Sequence, residues 1–183
     1  MNSDQTKAQP KKLFEPANRE ELLRGWLLHA HKGRDRHDLA ARRNNTYRYW
    51  LGVPTIVLSA VVGTSVFASL QTQVDASLKI VVGLISITSA VLASLQTFYN
   101  FASQAESHRV AGVKYKMLIR ELEQVLTQPL GQLPDQADYL NDLRKRMDDL
   151  EVEAPVVPEG IYHQVEERYA NVVFAEKVAS LVQ

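Results

Sequence analysis

Between Tyr49 and Ala105 the chain runs for 57 residues with only two charged side chains, Asp75 and Lys79. The chain as a whole is 23% charged, so a water-soluble stretch of this length carries about a dozen charges. Two uncharged runs lie inside it, Leu51 to Leu70 and Ile80 to Phe98. As helices rising about 1.5 Å per residue, each reaches roughly 30 Å, the thickness of a bilayer's hydrocarbon core. The nine residues from Gln71 to Lys79 leave room only for a short connection. A helical hairpin of a soluble bundle needs a charged outer stripe at helical period, and neither run has one. Tyr47, Tyr49 and Trp50 precede the first run, and Phe98, Tyr99 and Phe101 end the second. These are the residue types that anchor at a membrane interface.

The flanking sequence is helical and unevenly charged. Residues 1–17 are polar, with Pro10 and Pro16, and read as disordered. Asn18 followed by Glu21 forms a capping box, which opens an amphipathic helix over residues 18–48 with Leu22, Leu23, Trp26, Leu27 and Ala30 on one face. Gly33 is a weak point in that helix, and Pro54 marks a helix start in the span. The spans are placed at residues 49–71 and 79–101, with a short external loop at 72–78 and a helical region over 102–183. In that last region Val110, Val113, Met117, Leu118, Leu122 and Val125 are expected inward, followed by helices from Asp135 to about Leu150 and from Glu159 to about Leu181. The expected fold is an all-α membrane protein: a two-helix transmembrane hairpin with a cytoplasmic helical domain built from the N-terminal arm and the C-terminal helices.

Charge sets the expected topology. Net charge is zero overall, but residues 1–50 carry +5, residues 101–120 carry +3 and residues 121–183 carry −8. Arg42, Arg43 and Arg48 approach the first span, and Arg109, Lys114 and Lys116 follow the second, forming a juxtamembrane basic collar. The positive-inside rule therefore places both termini in the cytoplasm of a multi-pass plasma-membrane protein. Contacts to the lipid bilayer account for the collar better than nucleic acid does, and no nucleic-acid partner is expected. No apolar core precedes residue 50, so no cleavable signal peptide is expected.

Within the spans the small and polar residues are ordered. In the second, Gly83, Ser86, Ala90, Ala93, Ser94 and Thr97 oppose a stripe of large apolar residues, and in the first Ser59 and Gly63 stand at small-xxx-small spacing. Small residues let helices approach closely and hydroxyls bond across the contact. Two helices cannot cover all these faces, so the hairpin is expected to form a homo-oligomer. Ser59, Gly63, Gly83, Ser86, Ala90, Ser94 and Thr97 are the candidate pore-lining or helix-packing positions. An acidic tail facing a basic collar also suggests an electrostatic latch on the resting state, involving Arg42, Arg43, Lys114 and Lys116.

The chain shows no chemistry of an enzyme. There is no cysteine, no phosphate loop, no nucleophile elbow and no His-Glu-x-x-His pair. His29 and His31 are two residues apart and do not share a helix face, so no metal site is expected, and no cofactor. His108 is expected as an interfacial residue, and Asp148, Asp149, Glu151 and Glu153 as a solvated acidic end.

The order Tyr-Arg-Tyr-Trp, Gly52-Val53-Pro54, LSAVVGTSVFASLQ, LKIVVGLISITSAVLASLQTFYNFASQAESHR and VKYKMLIRELE resembles the SLATT proteins, bacterial two-span membrane proteins with helical flanks. The likeness covers about Arg42 to Glu123. It implies an oligomeric, pore-forming effector of a bacterial anti-phage, abortive-infection system. Such an effector permeabilises the inner membrane when a nucleotide second messenger or a sensor protein partner triggers it. The alternative is a non-conducting scaffold that anchors a cytoplasmic signalling partner. An ion-coupled transporter is disfavoured, because no ionisable side chain lies within either span.

Overall fold

One helix carries the chain from outside the membrane through the first span. In the computed structural model, which describes residues 16–69, 75–128 and 136–170, α1 runs unbroken from Arg19 to Ser69 over 51 residues. Its start is the expected capping box: Asn18 Oδ1 accepts from the Glu21 N–H at 2.9 Å, and Glu21 reaches back to the Ala17 N–H at 2.7 Å. The division expected near residue 48 is absent, and Pro54 lies inside the helix, not at a start. Proline removes one ladder bond. Beside it the Thr55 hydroxyl donates to the Leu51 carbonyl at 2.7 Å, one turn back on its own helix.

The second span is α2, Ala76–Tyr99, opened by Asp75, whose carboxylate accepts from the Ala76 N–H at 2.9 Å. A single residue separates it from α3, Phe101–Thr127. Asn100 adopts the left-handed conformation (φ 44°, ψ 48°), closing α2 through its N–H to the Gln96 carbonyl while its side chain caps α3. Asparagine is among the few non-glycine residues that reach this conformation cheaply. The remaining helices are α4, Gln136–Glu153, and α5, Glu159–Tyr169. There is no strand among the described residues. The expected helix to Leu181 is described only as far as Tyr169; Val172, Val173, Ala175 and Leu181 lie outside the described residues.

α1 and α2 form an antiparallel pair, and their apolar windows are 0% and 6% buried within the chain. A core helix of a soluble protein hides such a surface. These two expose it along about 30 Å, as helices that face hydrocarbon do. The chain is an all-α, two-span membrane protein.

Outside the spans, the first half of α1 packs antiparallel on α3 through a seam repeating at three and four residues. On α1 the seam is Leu23, Trp26, Ala30, Gly33, His37 and Ala40; on α3 it is His108, Ala111, Tyr115, Leu118 and Leu122. This is coiled-coil spacing. α4 covers the far end with Leu143, Met147 and Leu150, and α5 seats Ile161 and Val165. The inward face of α3 is the expected one in its second half, where Leu118 and Leu122 are buried and Val125 packs on the core, but not in its first: Val110 and Val113 are each 42% exposed and Met117 62%. Periodicity weighted toward large aliphatics pointed one way, while close helix approach selected the face carrying His108, Ala111 and Gly112. Gly33 is likewise a packing position. A Cβ there would stand 2.5 Å from Tyr115 Cε1, so the tyrosine ring occupies the space glycine leaves.

Candidate functional site

The membrane hairpin is held by two polar rungs. Ser59 and Ser89 hydroxyls lie 2.8 Å apart, and Gln96 Nε2 donates to Thr55 Oγ1 at 2.8 Å. Ser89 is 7% exposed, the one buried residue of α2. The contact face of α2 runs through Val82, Ile85, Ser89, Leu92 and Gln96, in the i, i+3, i+7 rhythm of a helix face.

Among the candidate span residues, Ser59 belongs to this internal contact and Ser86 borders it, half-buried. Gly83, Ala90, Ser94 and Thr97 stand on the outside of the hairpin. A Cβ at Gly63 or at Gly83 would meet nothing within 4 Å. The hydroxyls are satisfied on their own helix: Ser86 donates to Val82, Ser94 to Ala90 and Thr97 to Ala93. The outer small-residue stripe of α2 thus presents no unpaired hydroxyl donor and no bulk. Sequence reasoning singled out that stripe but missed Ser89 and Gln96 as the residues that join the two spans. Their signal was available, since Ser89 and Gln96 are seven residues apart and so share a face.

At the end of the spans Tyr47, Tyr99 and Phe101 cluster, with Tyr47–Phe101 centroids at 5.5 Å and Tyr99 stacked on Phe101 at 5.2 Å. Trp50 and Phe98 project outward, 75% and 82% exposed. This aromatic girdle marks the interface. Immediately beyond it, the structure gathers four collar residues around one groove between α1 and α3: Arg42, Arg48, Arg109 and Lys116. The other two go elsewhere. Arg43 Nε donates to the Tyr47 hydroxyl at 3.1 Å, and Lys114 pairs with Glu153 at 2.5 Å.

The acidic segments are ion-paired along the extramembrane domain. Glu166 on α5 takes Lys32 at 2.8 Å and also Arg36 of α1. The Lys32 hydrogen bond, with that of Arg36, holds the Glu166 carboxyl below its usual range. Asp35 accepts from the Tyr169 hydroxyl at 2.9 Å and from Arg168 at 3.2 Å. Glu151 pairs with His29 at 2.5 Å. The acidic run is therefore not merely solvated: two of its carboxylates bind the helices they face. Nor does the acidic tail meet Arg42, Arg43 or Lys116 among the described residues. Its α1 partners, Lys32 and Arg36, lie farther from the membrane, and of the four latch residues only Lys114 is engaged.

Below the groove the two seam histidines meet. His37 and His108 are each 4% exposed, with Nδ1 atoms 2.9 Å apart, and Tyr115 stacks on His37 at a centroid distance of 5.6 Å. Burial, then the neighbouring His108 and Arg36, push His37 down to about 4, and burial lowers His108. His108 is thus a core residue and not an interfacial one. One nitrogen must donate and the other accept, so the accepting ring is neutral and the pair cannot take up two protons. No cluster of three or more metal-ligating side chains occurs among the described residues.

Against known proteins, a family model described as "SMODS and SLOG-associating 2TM effector domain family 4" matches residues 21–158. The match takes in both spans, the basic groove, α3 and α4, and ends just before α5. No curated protein and no solved structure matches the chain.

Proposed function

This chain belongs to the SMODS and SLOG-associating 2TM effector domains, and from that premise we propose that it is a pore-forming effector of a bacterial anti-phage system. It assembles as a homo-oligomer in the inner membrane, both termini in the cytoplasm, and permeabilises that membrane when a nucleotide signal or a sensor protein triggers it. The observation that carries this reading is the division of labour on α2. One face is committed to α1 through Ser89 and Gln96, while the small stripe of Gly83, Ala90, Ser94 and Thr97 is left uncovered with its hydroxyls internally bonded. A hairpin that served only as an anchor would have large aliphatics on that face. Small residues there permit a second copy to approach closely, and a ring of such faces leaves a polar, uncharged opening. In this reading the resting fold of each chain is latched by the pairs of Lys32 and Arg36 with Glu166 and of Lys114 with Glu153.

The test is release of potassium and of a small dye from liposomes containing the purified protein, with Ser86→Leu and Ser94→Leu in parallel. Leakage by the natural protein that both substitutions abolish supports a pore lined by the second span. An oligomer that stays silent with nucleotide and with extract from infected cells refutes the pore, and the chain is then a non-conducting scaffold.

A further inference from the structure

The groove between α1 and α3 lies at a depth that the helices themselves measure. Trp50 and Tyr99 mark the hydrocarbon edge. Arg48 is about 3 Å of helix beyond it, and Arg42 about 12 Å. On the other wall Ala102 lies about 4 Å past Tyr99 and Arg109 about 15 Å. The polar layer of a bilayer occupies roughly 5–8 Å on each side of its core. The mouth of the groove therefore opens within the headgroups, and its deeper arginines reach that layer by the length of their side chains.

Its volume is about 400 Å³, and the short side chains of Ala102 and Ala105 keep the floor clear. Two carboxylates enter the lining, Asp38 and Glu106, but each is already matched: Asp38 by Lys116 at 2.8 Å and Glu106 by Arg109 at 2.5 Å. Arg42 and Arg48 have no carboxylate partner among the described residues, although Arg48 lies 5.8 Å from the Tyr49 ring centre. The groove thus holds two uncompensated guanidinium groups, with the Asn45 amide between them in the chain. Guanidinium forks match phosphate oxygens, and the exposed apolar surface of the spans next to the groove offers a path for the attached chains.

We propose that this groove is a binding site for the phosphate of an anionic phospholipid, with Arg42 and Arg48 as its charged ligands and Asn45 as a neutral donor. The site is independent of whether the spans conduct. It would make the domain's seating on the membrane depend on lipid composition, beyond the diffuse attraction of any basic collar.

Arg42 and Arg43 supply the decisive comparison, because they sit one residue apart at nearly the same depth and only Arg42 lines the groove. The full-length protein is placed in phosphatidylcholine nanodiscs doped with phosphatidylglycerol, and co-purifying lipid is counted by native mass spectrometry. Arg42→Gln and Arg48→Gln should each lower retained phosphatidylglycerol about tenfold or more, the loss of a charge-assisted hydrogen bond to the phosphate. Arg43→Gln should lower it by no more than about fivefold, the diffuse effect of one cation at a membrane surface. Equal losses for Arg42→Gln and Arg43→Gln would reduce the collar to a diffuse field and overturn the site, as would retention unchanged in Arg42→Gln and Arg48→Gln. Added ATP serves as a soluble phosphate competitor. Failure to displace the lipid supports the assignment, and displacement at micromolar concentration overturns it in favour of a soluble nucleotide.

Discussion

Acidification should loosen the extramembrane helices through the His37–His108 pair, and the size of the effect follows from burial. In the folded chain His37 resists protonation down to about pH 4, whereas an unfolded histidine titrates near 6.5. Above pH 6.5 both states are neutral and the pair contributes its full stability. As pH falls from 6.5 to 4 the unfolded chain binds a proton that the folded chain refuses. Stability then drops by about 1.4 kcal/mol per pH unit and by about 3 kcal/mol over the interval. His108, lowered by the same burial, acts in the same direction. The groups around the pair do not reverse the sign: Asp38 favours the charged ring, but burial, His108 and Arg36 outweigh it. Carboxylates held low by ion pairs, such as Glu121 and Glu166, act in a separate window, losing their contribution only as pH falls through the carboxylate range. The assay is urea unfolding in detergent micelles followed by Trp26, which packs against the core, in a Trp50→Phe background. The midpoint should fall steadily between pH 6.5 and 4.5, and the slope should shrink in a His37→Gln/His108→Gln variant to the remainder left by His31, which burial also lowers. A flat profile in the natural sequence, or a slope undiminished by the double substitution, would refute the reasoning.

Other outcomes follow from the packing. Gly33→Val should destabilise the extramembrane domain by about 1–3 kcal/mol, because the new side chain enters the Tyr115 ring position; combined with Tyr115→Ala the cost should be clearly less than additive in the same urea assay. Ser89→Ala and Gln96→Leu should each weaken the hairpin by about 0.6 kcal/mol, the usual size of an interhelical hydrogen bond in a membrane, read as a shift in detergent-induced unfolding. Glu166→Lys places a cation against Lys32 and Arg36, and it should raise leakage from liposomes without added trigger; unchanged leakage would count against the proposed latch.

The spans were legible because the bilayer constrains them so simply: a charge-free run long enough to cross hydrocarbon suits little else in a folded chain. The faces within the helices were harder to read. On α4, Leu143, Met147 and Leu150 recur at the i, i+4, i+7 spacing of one helix face among charged neighbours, a pattern plain in the sequence. On α3 the large aliphatics Val110, Val113 and Met117 drew the eye, while the contact belonged to His108, Ala111, Gly112 and Tyr115. Small residues gain by proximity and not by area, and hydropathy does not register proximity. The histidine pair was invisible for a related reason: His37 and His108 are 71 positions apart and meet only through the register of the seam. The basic residues read as a collar in the sequence, but a linear sequence cannot tell Arg42 from Arg43, which point to different neighbours.

The two spans join the extramembrane domain in mechanically different ways. α1 is one rod of 51 residues, about 76 Å long, with roughly 45 Å before Tyr49 and 30 Å from there on. α2 is joined to α3 through the single left-handed residue Asn100. The first connection is a continuous helix and the second a break in direction held by caps on both sides. Tilting the rod by about one degree around the aromatic girdle moves its far end in the membrane by about 0.5 Å, given the helical rise. A rearrangement of helices beside Lys32 and Arg36 would thus act on a long lever arm, and a few degrees there would become a displacement comparable to an atom's radius at the opposite leaflet.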